Sequence, residues 1–236
     1  MRLVFSCILE VLRGFAQLMY PSLCITCRDL LLGGEEFFCT HCAVALPITG
    51  FEAFKDNPLS MVFWGRLPIE TGTALCWFEK GGKVQTLVHH FKYRGDLALG
   101  EHLGCLLGKR LRHASLYKDL DVVTAVPLHP AKERRRGFNQ SAVLAQGIAR
   151  ALDIAFRDEV LVRRSDTATQ TRKSRFRRWE NVSDVFEVRH QDTLENKHIL
   201  LVDDVITTGS TLEACGQQLL QVKGVKLWIA CLAITA

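Results

Sequence analysis

Apolar residues in the second half of the chain form two kinds of pattern that alternate along the sequence. Short uninterrupted runs of Ile, Leu and Val indicate strands that are buried on both faces, as in a parallel sheet. These runs are Val122–Val126, Val160–Val162, Ile199–Val202 and Val225–Leu232. Helical spacing of apolar residues occupies Val84–Phe91, Leu97–Leu111, the stretch from the cap residue Asn139 to Leu152, and Leu212–Val222. The repetition of strand and helix predicts an α/β fold, with a parallel sheet flanked by helices and right-handed crossovers.

The first third of the chain lacks this repetition. The apolar residues of Met1–Tyr20 can lie on one face of a helix, and Glu10 and Arg13 interrupt their run. We therefore expect a packing helix here rather than a signal peptide. Proline and glycine are scattered through residues 43–75, which favours an irregular connection. The predicted domains are residues 1–50, a connector over 51–82 and the α/β domain over 83–236.

Composition places this chain of 236 residues among folded proteins, since 48% of it is hydrophobic and 23% is charged. No apolar stretch is long enough to span a bilayer, and we expect a cytoplasmic location. The net charge of +5 is modest but unevenly distributed, because basic residues cluster in two polar segments. Such clusters favour a polyanionic partner, either a pyrophosphate or a nucleic acid.

Four cysteines near the N-terminus form two C-x-x-C pairs separated by eleven residues, Cys24 with Cys27 and Cys39 with Cys42. This spacing is typical of a zinc-ribbon-like module, in which four thiolates hold one tetrahedral ion. Disulfides are the alternative, but the chain has five further cysteines and no predicted export signal. We predict a structural zinc site with no open ligand position for catalysis, and we expect His41 to be a bystander.

The most informative segment follows the third apolar run. Asp203 and Asp204 come directly after Ile199–Val202, and the polar stretch Thr207–Thr211 leads into the helix at Leu212. The junction between a parallel strand and the next helix is the usual ligand position in open α/β sheets. Backbone N–H groups and hydroxyls there suit a phosphate, and the two acids suit the hydroxyls of an attached sugar or a magnesium ion. Helix capping alone explains one or two of these residues but not the whole cluster, so the segment predicts a ribose-phosphate site.

This segment resembles the motif by which type I phosphoribosyltransferases bind 5-phosphoribosyl-1-pyrophosphate (PRPP). In that motif four apolar residues precede two acids and a Thr-Thr-Gly-Ser-Thr loop, as they do here. The resemblance implies that Asp203 and Asp204 face the ribose hydroxyls and hold Mg²⁺ together with PRPP. It also implies a 5-phosphate site, whose residues are Val205, Thr207, Thr208, Gly209, Ser210 and Thr211.

Three basic segments are predicted to complete this site. The loop before Asn139 follows a strand, and its guanidinium groups and backbone amides can surround a pyrophosphate, although a solvated basic loop is the alternative. Arg164–Asn181 is long, polar and basic, as lids and disordered segments often are. A lid fits the chemistry, because cleavage of PRPP develops charges from which water must be excluded. The third segment is a basic turn between two helices. The predicted pyrophosphate and lid residues are Lys92, Arg94, Lys132, Arg134, Arg135, Asn139, Gln140, Thr169 and Gln170.

Further motifs occur in order along nearly the whole chain. After the cysteine pairs come Phe91–Asp96, Val126-Pro127, Arg136–Ser141, Thr169-Gln170 with Arg178 and Asn181, and then the PRPP motif. This series resembles the ComF family, which consists of phosphoribosyltransferase-like proteins associated with bacterial competence and the use of external DNA. The resemblance implies a type I phosphoribosyltransferase fold with PRPP as the ligand. The catalytic residues that it implies are Asp203, Asp204, Arg136 and Arg178.

Two functions follow from these observations. The first is an enzyme that uses magnesium to transfer phosphoribosyl from PRPP to a nucleobase or an amine, or that runs the reverse reaction. The second is a non-catalytic accessory protein that senses PRPP or a nucleotide and contacts single-stranded DNA or a helicase-type DNA-uptake partner. Only Phe176 and Trp179 interleave with the basic residues of Arg164–Asn181, which is few for a stacking platform. A Rossmann-type oxidoreductase is excluded, because no G-x-G-x-x-G follows the first strand.

Overall fold

A computed structural model of the chain describes residues 21–164 and 185–235. The chain divides into two compact units, Met1–Leu46 and Pro47–Ala236. The first unit contains the two C-x-x-C pairs, and the second contains the α/β sheet. None of the helices in the described ranges is long and apolar enough to cross a membrane.

In the described part of the first unit, residues 21–46, short turns surround the four cysteines. An isolated antiparallel bridge joins Leu23 to Leu30, and helix α1 spans Thr40–Val44. The carboxylate of Glu35 accepts hydrogen bonds from the backbone N–H of Thr40 at 2.6 Å and from its hydroxyl at 2.7 Å. Glu35 therefore fixes the start of α1, directly after the third cysteine of the set.

The second unit contains, within the described residues, a five-stranded sheet, a two-stranded sheet and several helices. Its strands are β1 (Thr71–Phe78), β2 (Val122–Ala125), β3 (Ala155–Phe156), β4 (Leu161–Arg163), β5 (Phe186–Val188), β6 (His198–Ile206) and β7 (Lys226–Thr235). Its α-helices are α2 (Pro58–Met61), α3 (Lys83–Arg94), α4 (Leu97–His113), α5 (Pro130–Arg136), α6 (Gln140–Leu152) and α7 (Ser210–Leu219). Short 3-10 helices span Phe51–Ala53, Ser115–Tyr117 and Gln191–Leu194.

All neighbouring strands of the larger sheet are parallel, in the order β1-β7-β6-β2-β3. Strand β6 lies at the centre, and the side chains of Ile199–Val202 are fully buried, as expected for an apolar run covered on both faces. The register sets Val202 beside Ala125 of β2 and Ala230 of β7. The predicted α/β class, with a parallel sheet flanked by helices, is confirmed.

The strand order reverses between β2 and β6, and this reversal places two loops side by side. The chain leaves β2 through α6 toward β3, and it leaves β6 through α7 toward β7, so the two crossovers run in opposite directions. Right-handed crossovers that run in opposite directions put their helices on opposite faces of the sheet. A crevice therefore opens beyond the carboxyl ends of β2 and β6, which is the ligand position of doubly wound sheets.

Helices α4 and α6 pack closely against each other. A Cβ on Gly104 would lie 2.2 Å from the backbone oxygen of Leu144, so only glycine permits this approach. Asn139 begins α6, as predicted, because its Oδ1 accepts a hydrogen bond from the backbone N–H of Ser141 at 3.2 Å. Its Nδ2 also donates to the backbone oxygen of Val126 at 3.0 Å, which ties the start of the helix to the end of β2.

Strand β1 lies within residues 51–82, which the sequence predicted to be an irregular connector. It pairs in parallel with β7 and forms one edge of the larger sheet. Glycine at position 72 weakens the strand pattern in the sequence. Gly72 is needed because a Cβ there would lie 2.1 Å from Cδ2 of Leu59. Residues 51–82 therefore belong to the α/β unit.

Two further segments differ from the sequence-based expectation. Residues 160–162, predicted to be a strand of the parallel sheet, instead lead into β4, which pairs antiparallel with β5 in a separate sheet. The partner strand is too short for periodicity to reveal it. The basic stretch after β2, predicted to be a loop, contains helix α5, which begins at Pro130 and is followed by Gly137 at φ 89°. Helix α5 has no buried residue, so it leaves no apolar pattern in the sequence.

The cysteines outside the two C-x-x-C pairs have apolar neighbours in the sequence, which predicts small core residues. Cys76, Cys215 and Cys231 are buried, as predicted, whereas Cys105 is half-buried. Burial raises the pKa of the Cys76 thiol to about 12. These thiols are therefore packing groups rather than nucleophiles. Cys7 lies outside the described residues.

Candidate functional site

Asp203 and Asp204 lie at the end of β6, where the sequence predicted the ribose site. Oδ1 of Asp203 accepts hydrogen bonds from the Ser141 hydroxyl and from the backbone N–H of Asp204, both at 2.8 Å. Oδ1 of Asp204 accepts a hydrogen bond from the backbone N–H of Val205 at 2.6 Å. Its Oδ2 lies 2.6 Å from Nζ of Lys92. Asp203 is thus held by a hydroxyl from α6, whereas Asp204 is paired with a cation from α3.

Burial and a neighbouring negative charge make ionisation of the Asp203 carboxyl costly. Burial, and after it the negative charge of Asp204, raises the pKa of the Asp203 carboxyl to about 7. The Ser141 hydroxyl, the backbone N–H of Asp204 and the Lys92 ammonium act in the opposite direction. A ligand that brings a cation or hydroxyl donors to this pair would stabilise its doubly ionised form.

The segment between β6 and α7 turns sharply and leaves several backbone donors without partners. Gly209 adopts φ 73°, a left-handed conformation that suits glycine, and Ser210 begins the helix. Within residues 21–164 and 185–235, the backbone N–H groups of Thr207, Gly209 and Thr211 donate no hydrogen bond. The hydroxyls of Thr208 and Ser210 lie 3.0 Å apart at the same turn. Free donors at the first turn of a helix are suited to binding an anion.

The loop after β2 forms the facing side of the crevice. Arg136 ends α5, and its Nη1 donates a hydrogen bond to Oε1 of Gln140. The Arg136 guanidinium also lies 5.7 Å from the ring centroid of Tyr93, which is a cation–π contact. Ser141 lies in the first turn of α6, directly after this loop, and its hydroxyl donates a hydrogen bond to Asp203.

Helix α5 presents the cations predicted to bind pyrophosphate. Lys132, Arg134 and Arg135 are exposed, and the described part of the chain contains no ion pair that involves them. His129 shapes the start of the helix, because its Nδ1 accepts a hydrogen bond from the backbone N–H of Ala131 at 3.1 Å. That role requires an unprotonated Nδ1.

The end of α3 contributes Lys92 and Arg94, which the sequence also assigned to pyrophosphate. Lys92 lies against Asp204 rather than at α5, and Arg94 is exposed. Phe91 anchors this turn, since its ring centroid lies 5.8 Å from that of Phe138. The turn after α3 and the loop after β2 therefore form one continuous side of the site.

Two residues at the site were missed by the sequence analysis. Ser141 is the hydroxyl donor to Asp203, and its position two residues after a helix cap in the Arg136–Ser141 motif was the available signal. Arg66 donates a hydrogen bond from Nη1 to the backbone oxygen of Thr208 at 3.0 Å, and nothing in its irregular surroundings indicates this contact. Three predicted site residues, Thr169, Gln170 and Arg178, lie outside the described residues.

The four cysteines of the first unit form a cluster that fits one zinc ion. Their Sγ atoms all lie within 4.8 Å of one another, and those of Cys27 and Cys39 are 3.6 Å apart. A tetrahedral ion with Zn–S bonds of about 2.3 Å needs sulfurs roughly 3.8 Å apart. Every cysteine of the described ranges is a free thiol, and His41 is not part of the cluster. The set can therefore hold zinc through Cys24, Cys27, Cys39 and Cys42.

A parallel sheet with an acid pair and a helix start with free backbone donors at its switch point is typical of the class of phosphoribosyltransferase-like proteins. Residues 139–235 match the family model of the phosphoribosyl transferase domain. The chain is 30% identical over 228 residues to the DNA utilization protein YhgH of Escherichia coli K12, which covers 91% of this chain and 99% of that protein. It is 32% identical over 151 residues to competence protein F of Haemophilus influenzae, which covers 61% of this chain and 66% of that protein. The chain belongs to the ComF family of phosphoribosyltransferase-like proteins.

Some solved structures match this chain at low identity. A glutamine phosphoribosylpyrophosphate amidotransferase from B. subtilis is 22% identical, with a TM-score of 0.41. The alignment covers 60% of this chain and 30% of that chain.

Proposed function

We propose that this protein binds PRPP together with Mg²⁺ and transfers its phosphoribosyl group to a nucleobase or an amine, or catalyses the reverse reaction. The main support is the pair Asp203–Asp204 at the end of the central strand, followed at once by the donor-rich turn into α7. Relatives named for DNA utilization and for competence support a link between this activity and the use of external DNA.

In this proposal each part of PRPP has its own partner. The segment Val205–Thr211 holds the 5-phosphate through backbone N–H groups and hydroxyls. Asp203 and Asp204 accept the ribose hydroxyls, while Ser141 keeps the Asp203 carboxylate oriented. Arg136 and the α5 cations bind the pyrophosphate. The Lys92 ammonium pairs with Asp204, and it is close enough to the site to pair with a pyrophosphate oxygen instead.

Transfer breaks the bond between the anomeric carbon of ribose and a pyrophosphate oxygen, and it forms a bond from that carbon to the acceptor nitrogen. Pyrophosphate leaves with the bonding electron pair, the ribose becomes cation-like, and the acceptor nitrogen loses a proton. Carboxylates beside the ribose and cations beside the pyrophosphate stabilise the charges that develop next to them. When bound, Mg²⁺ supplies further neutralisation of the pyrophosphate charge.

Titration calorimetry with PRPP, with and without MgCl₂, tests the binding step. We expect magnesium-dependent binding by the wild type and at least a hundredfold loss in the double variant Asp203→Asn, Asp204→Asn. The matched control is Asp192→Asn with Glu195→Gln, which removes two exposed carboxylates before β6 begins and should bind like the wild type. Absence of magnesium-dependent PRPP binding by the wild type would refute the proposal.

The transfer step is tested by a mass-spectrometric screen of nucleobases and amines with PRPP and Mg²⁺. The double variant serves as the blank. A ribosyl-phosphate product that is present with the wild type and absent with the blank identifies the acceptor. Identical traces from both proteins would contradict catalysis while leaving PRPP binding intact.

A non-catalytic accessory role is the second candidate, and the surface of α5 supports it. Three exposed cations on one short helix, without an ion-pair partner in the described chain, offer a surface for the phosphates of single-stranded DNA. In that case PRPP or a nucleotide would regulate contact with DNA or with a helicase-type uptake partner.

Filter binding of single-stranded DNA across salt concentrations tests this second candidate. A steep fall of affinity with salt would support contact with several phosphates. DNA binding that does not change when PRPP is added would contradict a sensing role.

A further inference from the structure

Arg66 connects three parts of the chain around the turn between β6 and α7. It lies in the irregular stretch that follows α2. Its Nη1 donates hydrogen bonds to the backbone oxygens of Val62 and Thr208, both at 3.0 Å. Its Nη2 donates to Oε2 of Glu213, which lies in the first turn of α7. A single guanidinium therefore joins the loop, the helix and the stretch that covers them.

The bond to Thr208 orients the peptide that leads into Gly209. A trans peptide is planar, and its C=O and N–H groups point in opposite directions. No peptide bond of the described residues is cis. Because Arg66 draws the oxygen of Thr208 toward itself, the N–H of Gly209 points away from Arg66. This N–H is one of the free donors that the turn offers to an anion.

The side chains of two residues near Arg66 pack against the same turn. A Cβ added to Gly209 would lie 3.0 Å from Cγ1 of Val62 and 3.0 Å from Cε1 of Phe63. Phe63 is fully buried, so its ring cannot easily move away from an added Cβ. Residues 62–66, which we call the strap, therefore pack against the turn at the place where a side chain at position 209 would project.

Glu213 creates an electrostatic conflict for a phosphate at this helix start. A phosphate ester carries roughly 1.5 to 2 negative charges at neutral pH. A carboxylate in the same helical turn repels it and competes for the positive end of the helix. The Arg66 and Glu213 side chains are 37% and 23% exposed, so water screens the carboxylate only in part. Arg66 neutralises it at short range.

We propose that Arg66 is a positioning residue for the 5-phosphate site, because it fixes the Thr208–Gly209 peptide and neutralises Glu213. It acts through the loop and the helix rather than by touching the phosphate. This inference rests on the proposed function for the identity of the ligand. It adds that binding of the 5-phosphate depends on the strap, which belongs to none of the sequence motifs.

Calorimetric titration with PRPP and with ribose 5-phosphate tests this role in a set of variants. Arg66→Ala should weaken both ligands about 10- to 100-fold, since both carry the 5-phosphate. Arg66→Lys keeps the charge but loses the forked geometry and should give an intermediate loss. Adding Glu213→Gln to Arg66→Ala should restore roughly tenfold of the affinity, because the uncompensated carboxylate is then gone.

A matched control separates positioning from stability. Arg110→Ala breaks a comparable pair with Glu52, whose side chains are 39% and 10% exposed, and should lower the melting temperature without changing either affinity. An Arg66→Ala variant that binds both ligands like the wild type overturns the inference alone. A double variant that binds no better than Arg66→Ala overturns the charge argument and indicates a purely structural role. A wild type that binds neither ligand overturns the proposed function together with this inference.

Discussion

Asp203 and Asp204 are adjacent in the sequence, but their carboxylates have different partners. Successive side chains of a strand point to opposite faces, so each carboxylate meets a different part of the molecule. Asp203 meets the hydroxyl of Ser141, and Asp204 meets the ammonium of Lys92. The consequence is that only one of the two acids is neutralised by a cation, and the other retains a raised pKa.

The raised pKa of Asp203 predicts a pH dependence of stability. The folded chain keeps the proton of Asp203 up to a pH of about 7, whereas the unfolded chain loses it near its ordinary pKa of about 4. Between these values the folded state binds more protons, so the free energy of unfolding should fall as the pH rises. We expect a loss of about 1–3 kcal/mol across this window, measured by urea unfolding from pH 4.5 to 8.

Asp203→Asn should remove this part of the pH dependence, because the amide does not titrate. The variant should therefore be more stable than the wild type at pH 8 and have a flatter profile between pH 4.5 and 7. Asp192→Asn, at an exposed site, is the control and should keep the wild-type slope. A slope that is equal in all three proteins would assign the dependence to other groups.

The backbone conformation of Gly209 predicts that a single substitution there affects both stability and ligand binding. Its φ of 73° is unfavourable for alanine, and a Cβ would stand 3.0 Å from Val62 and Phe63. Gly209→Ala should cost about 1–2 kcal/mol of unfolding free energy and weaken ribose 5-phosphate binding, because the turn must shift. Gly81→Ala has the same kind of strain, at φ 82°, with no atom within 4 Å, and should lose stability alone. Unchanged ligand affinity in Gly209→Ala would show that the turn tolerates the shift.

At the scale of elements, the short helix α5 carries charge rather than apolar packing. Pro130 opens it, the His129 side chain caps it, and Gly137 ends it. None of its residues is buried, so its bounds are set locally, by the cap and by the proline and glycine at its two ends. It holds three exposed cations beside Arg136, at the same edge of the sheet as the acid pair.

If α5 binds pyrophosphate, its cations should matter for PRPP but not for ribose 5-phosphate. Replacing Lys132, Arg134 and Arg135 by Gln should weaken PRPP binding about tenfold and change ribose 5-phosphate binding less than twofold. The matched control removes three exposed cations near the end of α4, by Lys109→Gln, Arg112→Gln and Lys118→Gln. Equal losses for the two ligands in the α5 variant would argue for a general electrostatic effect.

At the scale of the whole molecule, the sheet has a large core, whereas residues 21–46 contain few buried apolar side chains. A segment as short as residues 21–46 needs a metal or a covalent link to hold a defined structure. The four clustered thiols supply the ligands for one zinc ion. We therefore expect a bound zinc ion to stabilise residues 21–46.

Metal analysis of purified protein should find about one zinc per chain. Cys39→Ser with Cys42→Ser should abolish this content, whereas Cys105→Ser, which alters a thiol outside the cluster, should retain it. Chelation should raise hydrogen exchange in residues 21–46 of the wild type, because metal binding and folding are coupled. Folded, fully protected protein without metal would contradict the prediction.

Most of the α/β fold could be predicted from the sequence because its signals are local. Ile199–Val202 is apolar without alternation, Asn139 is a helix cap, and the PRPP motif has fixed spacing. Strand β1 could not be predicted, since its pairing with β7 brings together positions far apart in the chain. The antiparallel pairing of β4 with β5 was missed because β5 is too short to leave a periodic pattern.

The sequence by itself determined the chemistry that the site offers: paired acids, a hydroxyl-rich turn, clustered cations and four thiols, because each is encoded within a few consecutive residues. The tertiary structure decided which of these groups meet. Ser141 reaches Asp203 across 62 positions of the sequence, and Arg66 reaches Thr208 across 142. The physical reason is that hydrogen bonds and charge pairs act over a few ångströms, and only the packed sheet brings such distant residues within that range.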